Sequence, residues 1–188
     1  EVVHLQSRVV EHEFVHILNL QQTNFGVPHW YTEALATLAE GYPRPAEWDR
    51  LLARRLAEGR LYTLANLNLG FVRPHNSDDW TLAYCQARLY AEYAQEQFGP
   101  DALAKMLALY GRNLATPAVL QAAFSKTVDE FEQGYLEHVQ RLVATVPPAQ
   151  DELRRPPRPL SEIKQALQES PDDIELLAEM SETLAKIG

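Results

Sequence analysis

The residues best suited to chemistry are His12, Glu13 and His16, in the run His12-Glu13-Phe14-Val15-His16, the HExxH pattern. On a helix of ~3.6 residues per turn, positions four apart are angular neighbours one turn apart, so both imidazoles can reach a single ion. Glu13 projects beside them, where its carboxylate can meet a water held by that ion. The stretch around these groups is rich in apolar side chains, and buried imidazole or carboxylate is costly unless it has partners. A metal ion would be such a partner. The pattern fixes three residues in five, so alone it is also compatible with a chance match.

A second acidic residue strengthens the metal reading. Sixteen residues separate His16 from Glu33, which lies in Pro28-His29-Trp30-Tyr31-Thr32-Glu33-Ala34-Leu35-Ala36. This segment resembles the tryptophan-containing, glutamate-bearing second helix of the gluzincins, the clan of thermolysin-like enzymes and zinc aminopeptidases. It is most similar to the peptidase MA-like domains often joined to tetratricopeptide repeats. The resemblance implies Zn2+ held by His12, His16 and Glu33, two nitrogens and one oxygen, with a fourth position open to water as catalytic sites require. Many relatives carry Gly where this chain has Ala34, and the interval to Glu33 is a little shorter than in thermolysin-like or aminopeptidase sequences.

His29, four residues before Glu33, and Glu40, two turns after it, compete with Glu33 as third ligand. His29 follows a proline in a turn and reads as a surface or substrate-side residue, whereas Glu40 suits a role orienting a ligand histidine. Tyr84, in Trp80-Thr81-Leu82-Ala83-Tyr84-Cys85-Gln86-Ala87 followed by Phe98-Gly99-Pro100, resembles the tyrosine of the family's third helix that donates to an oxyanion. Tyr90 and Tyr93 on the same helix read as packing residues. His75, between Arg73 and Asp79, is an alternative donor without an evident chemical role.

What the resemblance implies is peptide-bond hydrolysis. Glu13 would be general base on a zinc-bound water, and zinc and Tyr84 would stabilise the oxyanion. The other reading is a degenerate peptidase that serves as a protein-interaction module. Retention of every expected ligand and of the base favours the enzyme. Relatives also build substrate binding from a β-sheet before the HExxH helix, and no such sheet is expected here.

The elements that must position these groups read as helices. Val2 to Leu20 has apolar residues at helical spacing (Leu5, Val9 and Leu20 in one stripe; Val3, Val10, Phe14 and Ile17 beside it), predicting a largely buried helix. Asn24, Gly26 and Pro28 end it. Further helices are predicted from about Trp30 to Glu40, from Pro45 to near Gly59, from an Asp78 or Asp79 cap through Phe98, and then to Tyr110-Gly111. A short one starts at Thr116-Pro117, and one from the Thr127/Glu130 capping box reaches about Val146. Leu61 to Pro74 reads as loop.

Together these give an all-α body of roughly seven helices over residues 1–146, the helical catalytic part of a thermolysin/aminopeptidase-like zinc peptidase with its N-terminal sheet missing. A Pro-rich linker (147–160) and a two-helix hairpin (161–188) follow. The hairpin, Ser161 to Glu169 and Asp172 to Lys186, has Ala166, Pro171, Leu177 and Leu184 at a spacing similar to tetratricopeptide repeats. It is a candidate surface for a protein partner, although one partial repeat falls short of a stable array.

With 188 residues, 46% hydrophobic and 23% charged, the chain can bury one good core. A net charge of −9 argues against nucleic-acid binding, and the family resemblance implies a peptide or protein as substrate. One cysteine, Cys85, excludes an internal disulfide framework. No run of apolar residues is long enough for a membrane span. The first residue is Glu and the opening already reads as helix, so the chain is expected to be a piece of a longer protein. Only family habit implies a compartment, a bacterial extracytoplasmic one.

Overall fold

The computed structural model describes residues 2–146 and 159–170, together with residues 173, 176, 177, 180, 181, 183 and 184, with side chains from residue 10 onward except Glu169. Two compact units divide the chain, Glu1–Val146 and Pro147–Gly188. Among the described residues the secondary structure is all helical.

The first unit contains α1 (Val2–Gln22), α2 (His29–Ala39), α3 (Ala46–Ala57), α4 (Leu67–Val72), α5 (Ser77–Phe98), α6 (Ala102–Tyr110), α7 (Thr116–Phe124) and α8 (Val128–Val143). Its centre is α5, which buries Leu82, Ala83, Ala87, Leu89, Tyr90, Ala91 and Ala94 and packs against α2, α3, α4, α6 and α8. Small residues on that helix let neighbours approach closely. The aromatics then fill the space, Tyr90 stacking on Tyr135 at 3.6 Å between ring centroids and sitting 5.8 Å from Trp30. Tyr90 and Tyr93 are thus core residues.

The turn between α1 and α2 decides how the two site helices face each other. Asn24 and Phe25 take left-handed backbone conformations (φ 48° and 64°), and at Gly26 an added Cβ would lie 3.0 Å from the Thr23 carbonyl and 3.3 Å from that of Tyr110. The Thr23 hydroxyl donates to the Asn19 carbonyl (2.6 Å) and accepts from the Val27 amide (3.2 Å). These bonds carry the chain from one helix into the next, and α2 returns alongside α1. The Tyr31 hydroxyl then ties α2 to α6 by donating to the Leu103 carbonyl (2.7 Å).

Three expectations need correction. First, from residue 10 onward α1 is not largely buried: Val10, Phe14, Ile17 and Leu18 are exposed. Its packing partners are α2 and α6, so His12, His16, Asn19 and Leu20 face protein while the adjoining apolar stripe does not. Secondly, the supposed loop from Leu61 to Pro74 contains α4, six residues interrupted by Gly70 and too short for a helical period to register. Thirdly, the cap of α5 is Asn76, whose side chain accepts from the Asp79 amide (2.9 Å). Asp79 is instead paired with Arg55 at 2.6 Å inside the protein. The capping box at Thr127 and Glu130 forms as expected.

In the second unit α9 (Leu160–Glu169) begins after Pro159 and buries Ile163. Of the expected Pro-rich linker (147–160), residues 147–158 lie outside the described residues and Leu160 already belongs to α9; most of the expected helix from Asp172 to Lys186 also lies outside them. The tetratricopeptide likeness therefore rests on sequence alone. No helix among the described residues is long and apolar enough to cross a membrane.

Candidate metal centre

Helices α1 and α2 bring His12, His16 and Glu33 together. One ligand atom from each lies within 4.8 Å of the others, a grouping that can hold a metal ion. The two imidazoles sit one turn apart on α1, edge to face at 4.7 Å. Their Nε2 atoms are 3.4 and 3.6 Å from Glu33 Oε2.

The outer nitrogens are engaged elsewhere. His12 Nδ1 lies 2.6 Å from Glu40 Oε1, and because a carboxylate accepts, the Nδ1 proton points outward and the lone pair of the neutral ring sits on Nε2. His16 Nδ1 is 2.8 Å from the Thr32 hydroxyl oxygen, which also accepts from the Asn19 side-chain amide (3.2 Å). When that oxygen accepts from His16 as well, both Nε2 lone pairs converge on the same place. Burial, only partly offset by Glu33, lowers the His16 pKa and favours the neutral ring that binds metal.

Glu33 divides its two oxygens. Oε1 accepts from His29 Nε2 at 2.9 Å, while Oε2 is buried without a hydrogen-bond partner. A buried, orphaned carboxylate oxygen in a folded protein requires a reason. Its separations from the imidazole nitrogens are too long for good hydrogen bonds. They match the spacing of about 3.3 Å expected between donors ~2.0–2.1 Å from one tetrahedral ion. Burial raises the Glu33 pKa, but the His29 hydrogen bond and the surrounding imidazoles outweigh it, leaving the group below its usual range and ionised. Donor types, tautomers and the orphaned oxygen all fit a zinc-class ion.

His29 is an exposed residue, as the sequence suggests, and it stands outside the three-ligand group while hydrogen-bonding Glu33 from the start of α2. Helix α2 starts at His29 itself, so positions 29 and 33 share a face. Glu40, two turns beyond Glu33, lies against His12. Thr32, which sequence reasoning passed over, orients His16. Its position immediately before Glu33 was the available signal.

Glu13 is exposed on α1, and its charge bears on both His16 and Tyr84. Tyr84 comes from α5. Burial first, then the charge of Glu33 and the closeness of the hydroxyl to that carboxylate, push its phenol up to about 12, so it remains a proton donor across the working pH range. His75 stands apart, highly exposed and 3.4 Å from Asp79. The Cys85 thiol is buried and raised to about 12, which rules it out as a nucleophile. A groove of about 500 Å3 between α3, α5 and α8, lined by Leu56, Tyr62, Tyr90, Glu132 and Tyr135 among others, includes none of these site residues.

The family model of the Peptidase MA superfamily matches residues 1–142, and the chain belongs to that superfamily. Comparison with curated proteins and with solved structures gives no match.

Proposed function

We propose that this chain is a zinc metallopeptidase of gluzincin type, in which His12, His16 and Glu33 hold the ion. The observation that carries the reading is the convergence of two imidazole Nε2 atoms on the orphaned Glu33 Oε2, in a chain of the Peptidase MA superfamily. When bound there, zinc would activate a water and polarise the scissile carbonyl.

The chain's own residues do the remaining work. Glu40 and Thr32 hold the two imidazoles in the ligand orientation, and His29 holds Glu33 so that only Oε2 points inward. Glu13, one position after His12 and open to solvent, takes a proton from the attacking water and passes it to the leaving amine. The Tyr84 hydroxyl donates to the carbonyl oxygen as negative charge develops there, an interaction that strengthens in the transition state.

The experiment is a peptide-hydrolysis assay with metal content measured on the same samples. Glu13→Gln is expected to keep zinc and lose turnover by at least about 100-fold, the scale of general-base catalysis. His16→Ala is expected to lose both. Undiminished turnover in Glu13→Gln would refute the mechanism, and wild-type zinc content without hydrolysis of any peptide would favour a degenerate, interaction-only domain.

A further inference from the structure

Beside the metal centre, the rings of α2, α4 and α5 form a continuous series. His29, bonded to Glu33, lies 4.9 Å from the Phe71 ring. Phe71 meets Tyr84 edge to face at 5.0 Å. Tyr84 in turn meets Trp80 at 4.7 Å. Trp80, at the far end, is 46% exposed, and on α4, the helix that carries Phe71, Leu69 and Val72 are 52% and 61% exposed.

This surface is built rather than incidental. The Asn68 side chain accepts from the Trp30 amide (2.9 Å), fixing the start of α2 to α4. Gly70 permits the approach of α4 to α5, since a Cβ there would lie 2.7 Å from that of Ala83 and 2.9 Å from the Tyr62 ring. Those contacts hold Phe71 between His29 and Tyr84. The charged groups bearing on Tyr84 are the carboxylates of Glu33, Glu13 and Glu40. An acidic side chain would be repelled here, whereas an aromatic or large aliphatic one would cover the exposed rings.

On the reading that the centre is a peptidase site, we propose that Phe71, Tyr84 and Trp80 form the wall against which a substrate peptide places a large apolar side chain next to the bond to be cut. Phe71 and Trp80 are then specificity-determining residues, selecting Phe or Leu over Ala and Glu at that position.

The test uses zinc-loaded chain and three metal-binding probes, the N-acetyl hydroxamates of phenylalanine, alanine and glutamate, with dissociation constants measured by titration and zinc content by elemental analysis. The phenylalanine probe is expected to bind about tenfold tighter than the alanine probe, the scale of covering part of an aromatic side chain, and the glutamate probe weakest. Trp80→Ala and Phe71→Ala should each reduce the phenylalanine preference to about threefold or less, with zinc content unchanged. Trp80 is half exposed, so its variant should stay folded even if Phe71→Ala does not. A zinc-loaded chain that binds phenylalanine and alanine probes alike, or whose preference survives Trp80→Ala, overturns the wall and leaves the metal centre standing. A chain without zinc that binds no probe overturns both.

Discussion

Glu33→Gln separates the metal ligand from the structural residue. The substitution keeps the shape of the side chain and an oxygen able to accept from His29 Nε2, now 2.9 Å from Oε1. It replaces the orphaned Oε2 with an amide group that can donate toward the His12 and His16 Nε2 atoms, 3.4 and 3.6 Å away. In the metal-free protein the loss of the favourable imidazole field on the carboxylate opposes relief of an unsatisfied buried oxygen, which costs about 1–3 kcal/mol. The metal-free melting temperature should therefore change by no more than a few degrees.

With zinc the variants part. At free zinc about 100 times the dissociation constant, binding stabilises wild type by about 2.7 kcal/mol. For a chain of this size that raises the melting temperature by about 5–10 °C. If the substitution weakens binding about 100-fold, the same zinc concentration gives about 0.4 kcal/mol and a shift of about 1 °C. Thermal melts with chelator and with buffered zinc read both quantities. A Glu33→Gln chain that keeps the full zinc shift refutes the ligand assignment. One that melts far below wild type without metal refutes the claim that the oxygen is there for an ion.

Three further outcomes are expected. Glu40→Gln, which weakens the hold on His12 Nδ1, should reduce zinc affinity about 10–100-fold in a chelator competition; unchanged affinity would show that Glu40 does not orient the ligand. Gly70→Ala forces a methyl against Ala83 and Tyr62 and should destabilise the fold by about 1–3 kcal/mol in denaturant melts, a neutral effect ruling out the close α4–α5 approach. The pKa of His16 and that of His138 are both lowered by burial, so the unfolded chain takes up protons first. Metal-free stability should then fall as pH drops below the ordinary value of about 6.5, and a profile flat from pH 7 to 5 would contradict that assignment.

The parts of the centre that lie on one helix were legible in the sequence. His12, Glu13 and His16 need only helical spacing, and Glu40 lies two turns beyond Glu33, at the C-terminal cap of α2. Relations between helices were less legible. The pairing of His16 with Thr32 depends on the turn at Asn24 to Gly26, and the work of His29 depends on where α2 begins. Helix α4 escaped because six residues with a central glycine carry no period, although it positions Phe71. The burial expected for α1 failed because periodicity shows which faces are apolar but not which of them meets a neighbour. Phe14 and Ile17 lie beside the covered face, and among the described residues α1 packs on α2 and α6.

The central claim is most directly tested by elemental analysis of purified wild-type chain after reconstitution with zinc and removal of excess, with His12→Ala and His16→Ala treated in parallel. One zinc per chain in wild type and little or none in the variants is the predicted result. Absence of zinc in wild type, or equal retention in all three, would contradict a centre built from His12, His16 and Glu33.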